Sequence, residues 1–315
     1  MAAARWRTPR RTPRLPRAPD APFRAPGDQS EGVASRHPFL LVNAFLDCGP
    51  RRLPLDRPLV MGIVNVTADS FSDGGRFLDP SSAIAQGERL AREGADLVDV
   101  GGESTRPGAV PVALEEELAR VIPVVKALAA KGIAVSVDTM KPEVMRAAAE
   151  AGCAMLNDVN GFRAPGALEA AAASGAAICA MHMQGTPATM QAEPRYGDVV
   201  CEVRDFLAGR ARELESAGVR RERIVLDPGF GFGKTFAHNV ALVKGLGAIA
   251  ALGYPVLAGL SRKRMIGEIT GRAVEERTAG SVAAALVAVQ NGAAIVRVHD
   301  VLPTVDALKV WAALR

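Results

Sequence analysis

The stretch IVLDPGFGFGKT, residues 224–235, joins a short apolar run to a glycine-rich turn that ends in Lys-Thr. A phosphate-binding P-loop requires the pattern G-x-x-x-x-G-K-[ST]. Counting back from Gly233 places the first required glycine at Pro228, whose backbone has no N–H group to donate to a phosphate. The alternating glycines also fail the G-x-G-x-x-G pattern of dinucleotide-binding loops. The stretch therefore does not predict a nucleotide site, and Asp227 at the end of the apolar run needs another explanation.

Eight short apolar runs recur along the chain, and the quoted stretch contains the sixth. They are LVMGIVNV (59–66), DLVDV (96–100), AVSVD (134–138), AMLND (154–158), AAICAMH (176–182), RIVLD (223–227), PVLAGL (255–260) and AAIVRVH (293–299). Continuous apolar runs of this length are typical of strands that are buried on both faces of a parallel sheet.

Segments with helical spacing separate the runs. Four clear examples are residues 81–94, 113–132, 141–152 and 282–292. Pro142 falls in the first turn of the third, where its missing N–H group costs nothing. Eight strand-and-helix units predict an α/β fold, a single (β/α)8 TIM barrel. An open doubly wound sheet is the alternative, which eight regular repeats disfavour.

Polar side chains end seven of the eight runs. They are Asn65, Asp99, Asp138, Asn157 with Asp158, His182, Asp227, and Arg297 with His299. One such residue is usually a helix cap or a turn former, but seven strands exceed what capping requires. The carboxyl ends of all strands of a (β/α)8 barrel meet at one rim, which carries the active site. The sequence therefore predicts an active site at this rim, and Asp227 belongs to it.

Two long loops follow the first two runs, TADSFSDGG (67–75) and GGESTRPGAVP (101–111). Both combine glycine with small polar and charged residues, and they carry Asp73 and Arg106. Long glycine-containing loops at an active rim are candidate lids, which we favour over plain connections.

Charge and composition limit the possible partners. The 315 residues carry a net charge of +4 and are only 4% aromatic, which argues against a stacking surface for nucleic acid. Residues 1–36 contain eight arginines and three acids, a net charge of +5, so the remainder carries −1. We therefore expect no nucleic-acid partner. We interpret residues 1–37 as a disordered Arg/Pro-rich extension and residues 38–315 as one barrel domain.

The cysteines and hydropathy indicate a cytoplasmic protein. The four cysteines (48, 153, 179 and 201) show no CxxC spacing and are expected to be reduced thiols. No uncharged apolar run approaches the 18 residues of a membrane span, so we expect no membrane association. The N-terminal segment lacks the apolar core of a secretory signal.

Eight longer motifs occur in order over about residues 58–306. They are MGIVNVTADSFSDGG, DVGGESTRPGA, SVDTMKPEVMRAA, NDVNG, MHMQGTPATMQ, LDPGFGFGKT, GLSRKRMIG and RVHDV. Together they resemble the dihydropteroate synthase family, whose members are pterin-binding TIM barrels. The resemblance implies a transferase of folate synthesis that condenses (7,8-dihydropterin-6-yl)methyl diphosphate with 4-aminobenzoate, giving 7,8-dihydropteroate and diphosphate. It also implies a homodimer.

The resemblance assigns residues to each part of the site. The pterin pocket would be formed by Asp138, Asn157, Met181, Asp227 and Lys263, whose polar groups can pair with the donors and acceptors of a pterin edge. The diphosphate would contact Asn65, Arg297 and His299, and Mg²⁺ would bind to Asn65 and Asp73. The aminobenzoate site would be shaped by Thr105, Arg106, Pro107, Phe232, Ser261 and Arg262. Ser261 is expected at the start of a helix, where backbone N–H groups favour a carboxylate.

The implied mechanism is dissociative. Diphosphate leaves, the pterin ring stabilises the cationic methylene, and the arylamine then attacks. The residues expected to take part in catalysis are Asp73, Arg106, Asp138, Asp227, Lys263 and Arg297. No Ser-His-Asp or Cys-His set is evident, so catalysis would depend on electrostatics and positioning.

One departure from the family pattern and two rival functions remain. Ala68 stands where the family usually has proline, which makes the first loop more flexible in the unfolded ensemble. A corrinoid-dependent methyltransferase with a related pterin-binding barrel needs no diphosphate site, which Lys263, Arg297 and His299 argue against. A non-catalytic relative would show gaps among these residues, and none is evident.

Overall fold

Eight parallel strands form around the apolar runs that the sequence places at regular intervals. A computed structural model describes residues 45–66, 80–105 and 108–315 of the chain, all within one compact unit that spans residues 37–315. The described residues contain these eight strands and two further short ones that precede them: β1 (Phe45–Asp47), β2 (Arg52–Pro54), β3 (Leu59–Asn65), β4 (Leu97–Gly101), β5 (Val135–Asp138), β6 (Met155–Asp158), β7 (Ala177–Met181), β8 (Ile224–Asp227), β9 (Leu257–Ala258) and β10 (Ile295–Val298). The predicted boundary between residues 37 and 38 lies outside the described residues and stays a prediction.

The last eight of these strands make one sheet, in the order β8-β7-β6-β5-β4-β3-β10-β9. A single parallel bridge between Leu226 and Val256 joins its two ends. The ring therefore closes, and the predicted (β/α)8 barrel is confirmed.

Helices surround the sheet. They are α1 (Pro80–Arg92), α2 (Leu114–Ala130), α3 (Pro142–Glu150), α4 (Ala167–Ala173), α5 (Val199–Ser216), α6 (Phe236–Lys244), α7 (Leu246–Ala250), α8 (Arg264–Thr270), α9 (Thr278–Gln290) and α10 (Val301–Leu314). All four helices predicted from spacing form within a few residues of the expected bounds. Pro142 begins α3, as expected from its lack of an N–H group.

Side chains of successive strand residues divide between two apolar cores. Val60, Val64 and Val98 pack outward against the helices, whereas Leu59, Met61 and Leu97 fill the inside of the barrel. Because both faces are buried, the strands show no apolar-polar alternation in their sequence. The interior core occupies the amino-terminal half of the barrel, which leaves the carboxyl-terminal rim to polar groups.

An antiparallel hairpin of β1 and β2, which the sequence reasoning did not predict, covers the amino-terminal end of the barrel. Leu46 and Cys48 are fully buried in the interior core beside Leu59. Each strand of the hairpin has only three residues, too few to show a periodic pattern.

Two further expectations concern the state of the cysteines and the presence of membrane-spanning segments. All four cysteines are free, and three of them are buried. Within the described ranges, every helix is too short or too polar to traverse a lipid bilayer.

Candidate active site

The centre of the polar rim is the guanidinium of Arg297 on β10. Its Nε atom donates to Oδ2 of Asp99 at 2.6 Å, and its Nη2 atom donates to Oδ2 of Asp138 at 3.1 Å. Asp99 on β4 has no exposed surface. Burial lowers the pKa of Arg297, but Asp99 and Asp138 more than offset this effect and raise it above its usual value. Arg297 therefore remains a cation that two strands hold in place.

Asp138 and Asn157 lie side by side, because β5 and β6 pair them in register. Burial, with a smaller contribution from Asp99, raises the pKa of Asp138 to about 7. Asn157 donates from Nδ2 to Oδ2 of Asp99 at 3.3 Å. The buried Oδ1 atoms of Asp99 and Asn157 have no hydrogen-bond partner within the described part of the chain. Buried acceptors without donors are uncommon, and they fit a ligand that presents N–H groups.

Asp227 occupies the equivalent position on β8, opposite Met181 of β7. Its Oδ1 atom accepts from the N–H group of Gly229 at 2.7 Å. Burial raises the pKa of Asp227, and the nearby charge of Lys263 acts against that rise. Lys263 donates to the carbonyl of Phe230, and its ammonium lies 4.7 Å from the ring centroid of Phe232. Burial lowers the pKa of Lys263 to about 8.

An apolar wall adjoins these polar groups. Met181, Val159, Met183 and Met190 are buried together, and Met140 and Phe232 pack against them at partial exposure. Methionine is flexible and polarisable, so this wall suits the flat face of a ring.

Asn65 ends β3, and His299 directly follows β10, which pairs with β3 in parallel. Both residues line a cavity of about 430 Å³ at the first turn of α10. The Oγ atom of Ser261 is 3.0 Å from Nδ1 of His299 and accepts from the backbone N–H group of the same residue at 3.2 Å. Ser261 thus holds the imidazole that the sequence predicts for the diphosphate.

Comparison with known proteins identifies the family. A family model described as pterin binding enzyme matches residues 61–299. The dihydropteroate synthase of Haemophilus influenzae is 50% identical over 262 residues, which cover 83% of this chain and 95% of that protein. A solved dihydropteroate synthase of Xanthomonas albilineans with 4-aminobenzoic acid is 57% identical, has a TM-score of 0.82, and covers 86% of this chain and 98% of its own. The chain belongs to the dihydropteroate synthase family.

A second Xanthomonas albilineans structure, a dihydropteroate synthase in complex with 7,8-dihydropteroate, is 55% identical with a TM-score of 0.79 and covers 86% of this chain and 98% of that one. The predicted membership of the dihydropteroate synthase family is confirmed, and with it the class of enzyme, a transferase. The role of each predicted residue stays a prediction, on which the geometry above bears.

The residues predicted for aminobenzoate in the dihydropteroate synthase pattern are only partly brought together. Phe232 faces Lys263, and Thr105 is described at partial exposure, whereas Arg106 and Pro107 lie outside the described residues. Arg262 instead points its guanidinium at Asp300, with contacts of 3.0 Å and 2.6 Å. Ser261 does not start a helix, because Lys263 is the cap residue that precedes α8. The structure therefore places Arg262 and Ser261 beside His299.

The base of the second loop is fixed by a buried ion-pair network. Lys141 contacts carboxylate oxygens of both Glu103 and Glu117, and Glu103 accepts from the N–H group of Val112 at 3.2 Å. Glu117 has no exposed surface and accepts from the Thr139 hydroxyl at 2.6 Å. These contacts hold the two ends of the loop, residues 103 and 112, together. Asp73 and Ala68 of the first loop lie outside the described residues.

Two residues that the sequence reasoning did not assign to the dihydropteroate synthase site are part of its framework. The sequence places Asp99 among the polar residues of the active rim but gives it no role, although its position before the GGES motif is a usable signal. Lys234 is 3% exposed and contacts His182 from within the turn 228–235. Its burial has no sequence signal, because lysine is usually exposed. Its inward position agrees with the rejection of a P-loop.

The side-chain oxygen of Asn65 is a ligand of the kind that Mg²⁺ prefers, and this ion takes few of its oxygen ligands from protein. The described residues contain no group of three or more His, Cys, Asp or Glu side chains able to hold a metal. A site with a single amide oxygen from β3 and one carboxylate from the first loop, completed by substrate and water, is compatible with that finding.

Proposed function

We propose that this chain condenses (7,8-dihydropterin-6-yl)methyl diphosphate with 4-aminobenzoate, giving 7,8-dihydropteroate and diphosphate. The observation that carries the proposal is the set of buried polar groups around Arg297. Asp99, Asp138 and Asn157 present acceptors at the end of adjoining strands, and two of these acceptors have no partner in the described chain. A pterin edge would supply the missing donors.

Charge balance at the rim supports loss of diphosphate. Arg297 has more N–H donors than Asp99 and Asp138 use, and its planar group suits phosphate oxygens. His299, held by Ser261, lies on the same side as Asn65. We propose that the bond between the methylene carbon and the diphosphate oxygen breaks first, with the electron pair leaving on diphosphate.

Formation of the new bond needs little chemistry from the protein. The arylamine lone pair attacks the methylene carbon, and the nitrogen then loses a proton to solvent or diphosphate. Asp138 and Asp227 would accept from pterin N–H groups and stabilise the positive charge of the ring. Phe232 would orient the aminobenzoate beside the pterin, which Lys263 would contact from its position over the Phe232 ring.

We further propose Mg²⁺ as the cofactor, held by Asn65 and Asp73. When bound, it would neutralise charge on the leaving diphosphate. The oxygen ligands of the two side chains suit this ion.

The decisive experiment mixes purified protein with both substrates and Mg²⁺, and follows dihydropteroate and diphosphate together. Equal amounts of the two products, lost with EDTA and in Arg297→Ala, are expected. Arg272→Ala is the matched control, because Arg272 is an exposed arginine on the turn after α8. Pterin binding without product would overturn the proposed reaction, and product that resists EDTA would overturn the role of Mg²⁺.

Two broader features belong to the same proposal. The free thiols support a reducing, cytoplasmic location. Exposed Val287 on α9 and Val310 on α10 support a homodimer through the side of the barrel. Light scattering coupled to gel filtration would give the mass, and a monomer would overturn the dimer.

A further inference from the structure

Lys234 is folded beneath its own loop, where burial lowers its pKa to about 7. Its Nζ atom lies 2.9 Å from Nδ1 of His182, 3.0 Å from the carbonyl oxygen of Gly229 and 2.9 Å from that of Phe232. Burial, and then the charge of Lys234, lowers the pKa of His182 to about 3. The imidazole is therefore neutral at physiological pH.

The loop can approach the lysine because alternate residues are glycine. Gly229, Gly231 and Gly233 all have positive φ angles, 68°, 81° and 60°. A Cβ atom on Gly229 would lie 1.9 Å from the carbonyl oxygen of His182, and one on Gly233 would lie 2.7 Å from that of Gln184. The loop thus lies directly against the chain that follows β7. This contact explains the first and last glycines of GFGFG, whereas a Cβ atom on the middle one, Gly231, would lie 3.2 Å from the side chain of Lys263.

The same loop meets the predicted aminobenzoate site on its other face. Lys263 contacts the Phe230 carbonyl and lies over the Phe232 ring. Phe232 therefore lies between two lysines, with its carbonyl bound to Lys234 and its ring beneath Lys263. Tyr196 adds a third restraint, because its hydroxyl donates to the Gly233 carbonyl at 2.8 Å.

We propose that Lys234 is a positioning residue for the second substrate: it fixes the Phe232 wall of the aminobenzoate site without touching either substrate. This inference rests on the proposed function. The pterin side of the site depends less on this loop, because Asp138 and Asn157 lie on β5 and β6, whereas the carboxylate of Asp227 accepts from the loop at Gly229. Loss of the Lys234 contacts should therefore weaken the binding of 4-aminobenzoate more than the binding of the pterin diphosphate.

Lys234→Met tests the inference, because methionine keeps an unbranched side chain and removes the ammonium. The Michaelis constant for 4-aminobenzoate is expected to rise about tenfold, since three polar partners lose their donor. The constant for the pterin diphosphate should change by less than about twofold. Lys244→Met is the control: Lys244 is an exposed lysine at the end of α6, and neither constant should change.

Thermal unfolding of each variant shows whether it is folded. If Lys234→Met does not fold, Tyr196→Phe tests the inference instead, because it removes another contact to the same loop. Its Michaelis constant for 4-aminobenzoate should rise about threefold, and that for the pterin diphosphate should not change. An unchanged constant for 4-aminobenzoate, or equal rises for both substrates, overturns the positioning role. Wild-type protein that forms no product overturns the proposed function instead, so the two failures are distinguishable.

Discussion

The Nε atom of Arg297 lies 2.6 Å from Oδ2 of Asp99, a carboxylate with no exposed surface that also accepts from Asn157. Asp99→Asn removes one charge of a buried pair and leaves Arg297 dependent on Asp138. We expect unfolding free energy to fall by about 3 kcal/mol, because breaking a buried pair leaves an uncompensated charge. Denaturant unfolding would measure the loss. Asp306→Asn, at an exposed carboxylate on α10, should leave stability unchanged, and equal stabilities for both variants would contradict the prediction.

Substitution of Lys141 should lower the stability of the protein far more than substitution of Lys131, although both lysines form ion pairs. Lys141→Met leaves the buried Glu117 carboxylate without its cation, and a cost of about 2–4 kcal/mol is expected. Lys131→Met breaks an exposed pair with Glu88 and should cost nothing measurable. Chemical denaturation of both variants provides the comparison. Similar midpoints would show that the network at the base of the second loop contributes little.

A comparison of alanine substitutions at Gly175 and Gly229 separates the cost of a steric contact from the cost of backbone strain. Gly175 and Gly229 both have a positive φ, of 69° and 68°, but only Gly229 has a close neighbour where a Cβ would lie. Gly175→Ala should cost about 1–2 kcal/mol, the strain of a left-handed alanine. Gly229→Ala must in addition displace the carbonyl of His182, so we expect a larger loss of stability together with a loss of activity. Equal melting temperatures would be inconsistent with this packing.

Pterin binding should depend on pH through Asp138. The pKa of Asp138 is raised to about 7, first by burial and then by Asp99, so its carboxylate forms only near neutrality. As an acceptor of pterin N–H groups it must be ionised, and affinity should therefore strengthen as pH rises through about 7. Calorimetry with the same pterin on wild type and on Asp138→Asn cancels the titration of the ligand. The variant should lose the step, and an identical step in both proteins would exclude Asp138 as its source.

The same raised pKa has the opposite effect on folding. Asp138 holds its proton to a higher pH in the folded chain than in the unfolded one. Its contribution to stability is therefore complete below the unfolded pKa and is lost as pH rises through about 7. Wild type should lose more stability than Asp138→Asn over that interval, as measured by denaturant midpoints.

The barrel could be predicted from sequence because burial on both faces imposes the same local pattern on every strand. The polar residues at strand ends, such as Asp138 and Asp227, followed from the same reasoning, since parallel strands bring their ends to one rim. The β1–β2 hairpin escaped prediction because strands of three residues carry no period.

Contacts between distant residues could not be predicted in this way. Arg262 was assigned to aminobenzoate, yet it pairs with Asp300, 38 positions later. Lys234 is buried because the carbonyl groups of Gly229 and Phe232 and the imidazole of His182 contact its Nζ atom, an arrangement that exists only when the glycine loop is folded. Hydrophobic periodicity and secondary-structure propensity depend on residues that are close in sequence. Neither predicts which cation will pair with a given carboxylate in the folded protein.

The strip from Gly229 to Gly233 is held mainly through its backbone, whose carbonyl oxygens contact Lys234, Lys263 and Tyr196. A mutation can trim or enlarge a side chain, but it cannot delete a carbonyl, and a methyl group at Gly229 or Gly233 collides with the chain after β7. Variants selected for escape from a competing inhibitor should therefore change surfaces made of side chains, such as Thr105 or Ser261, and leave this strip alone. An inhibitor that packs against this strip would leave the enzyme few ways to evolve resistance.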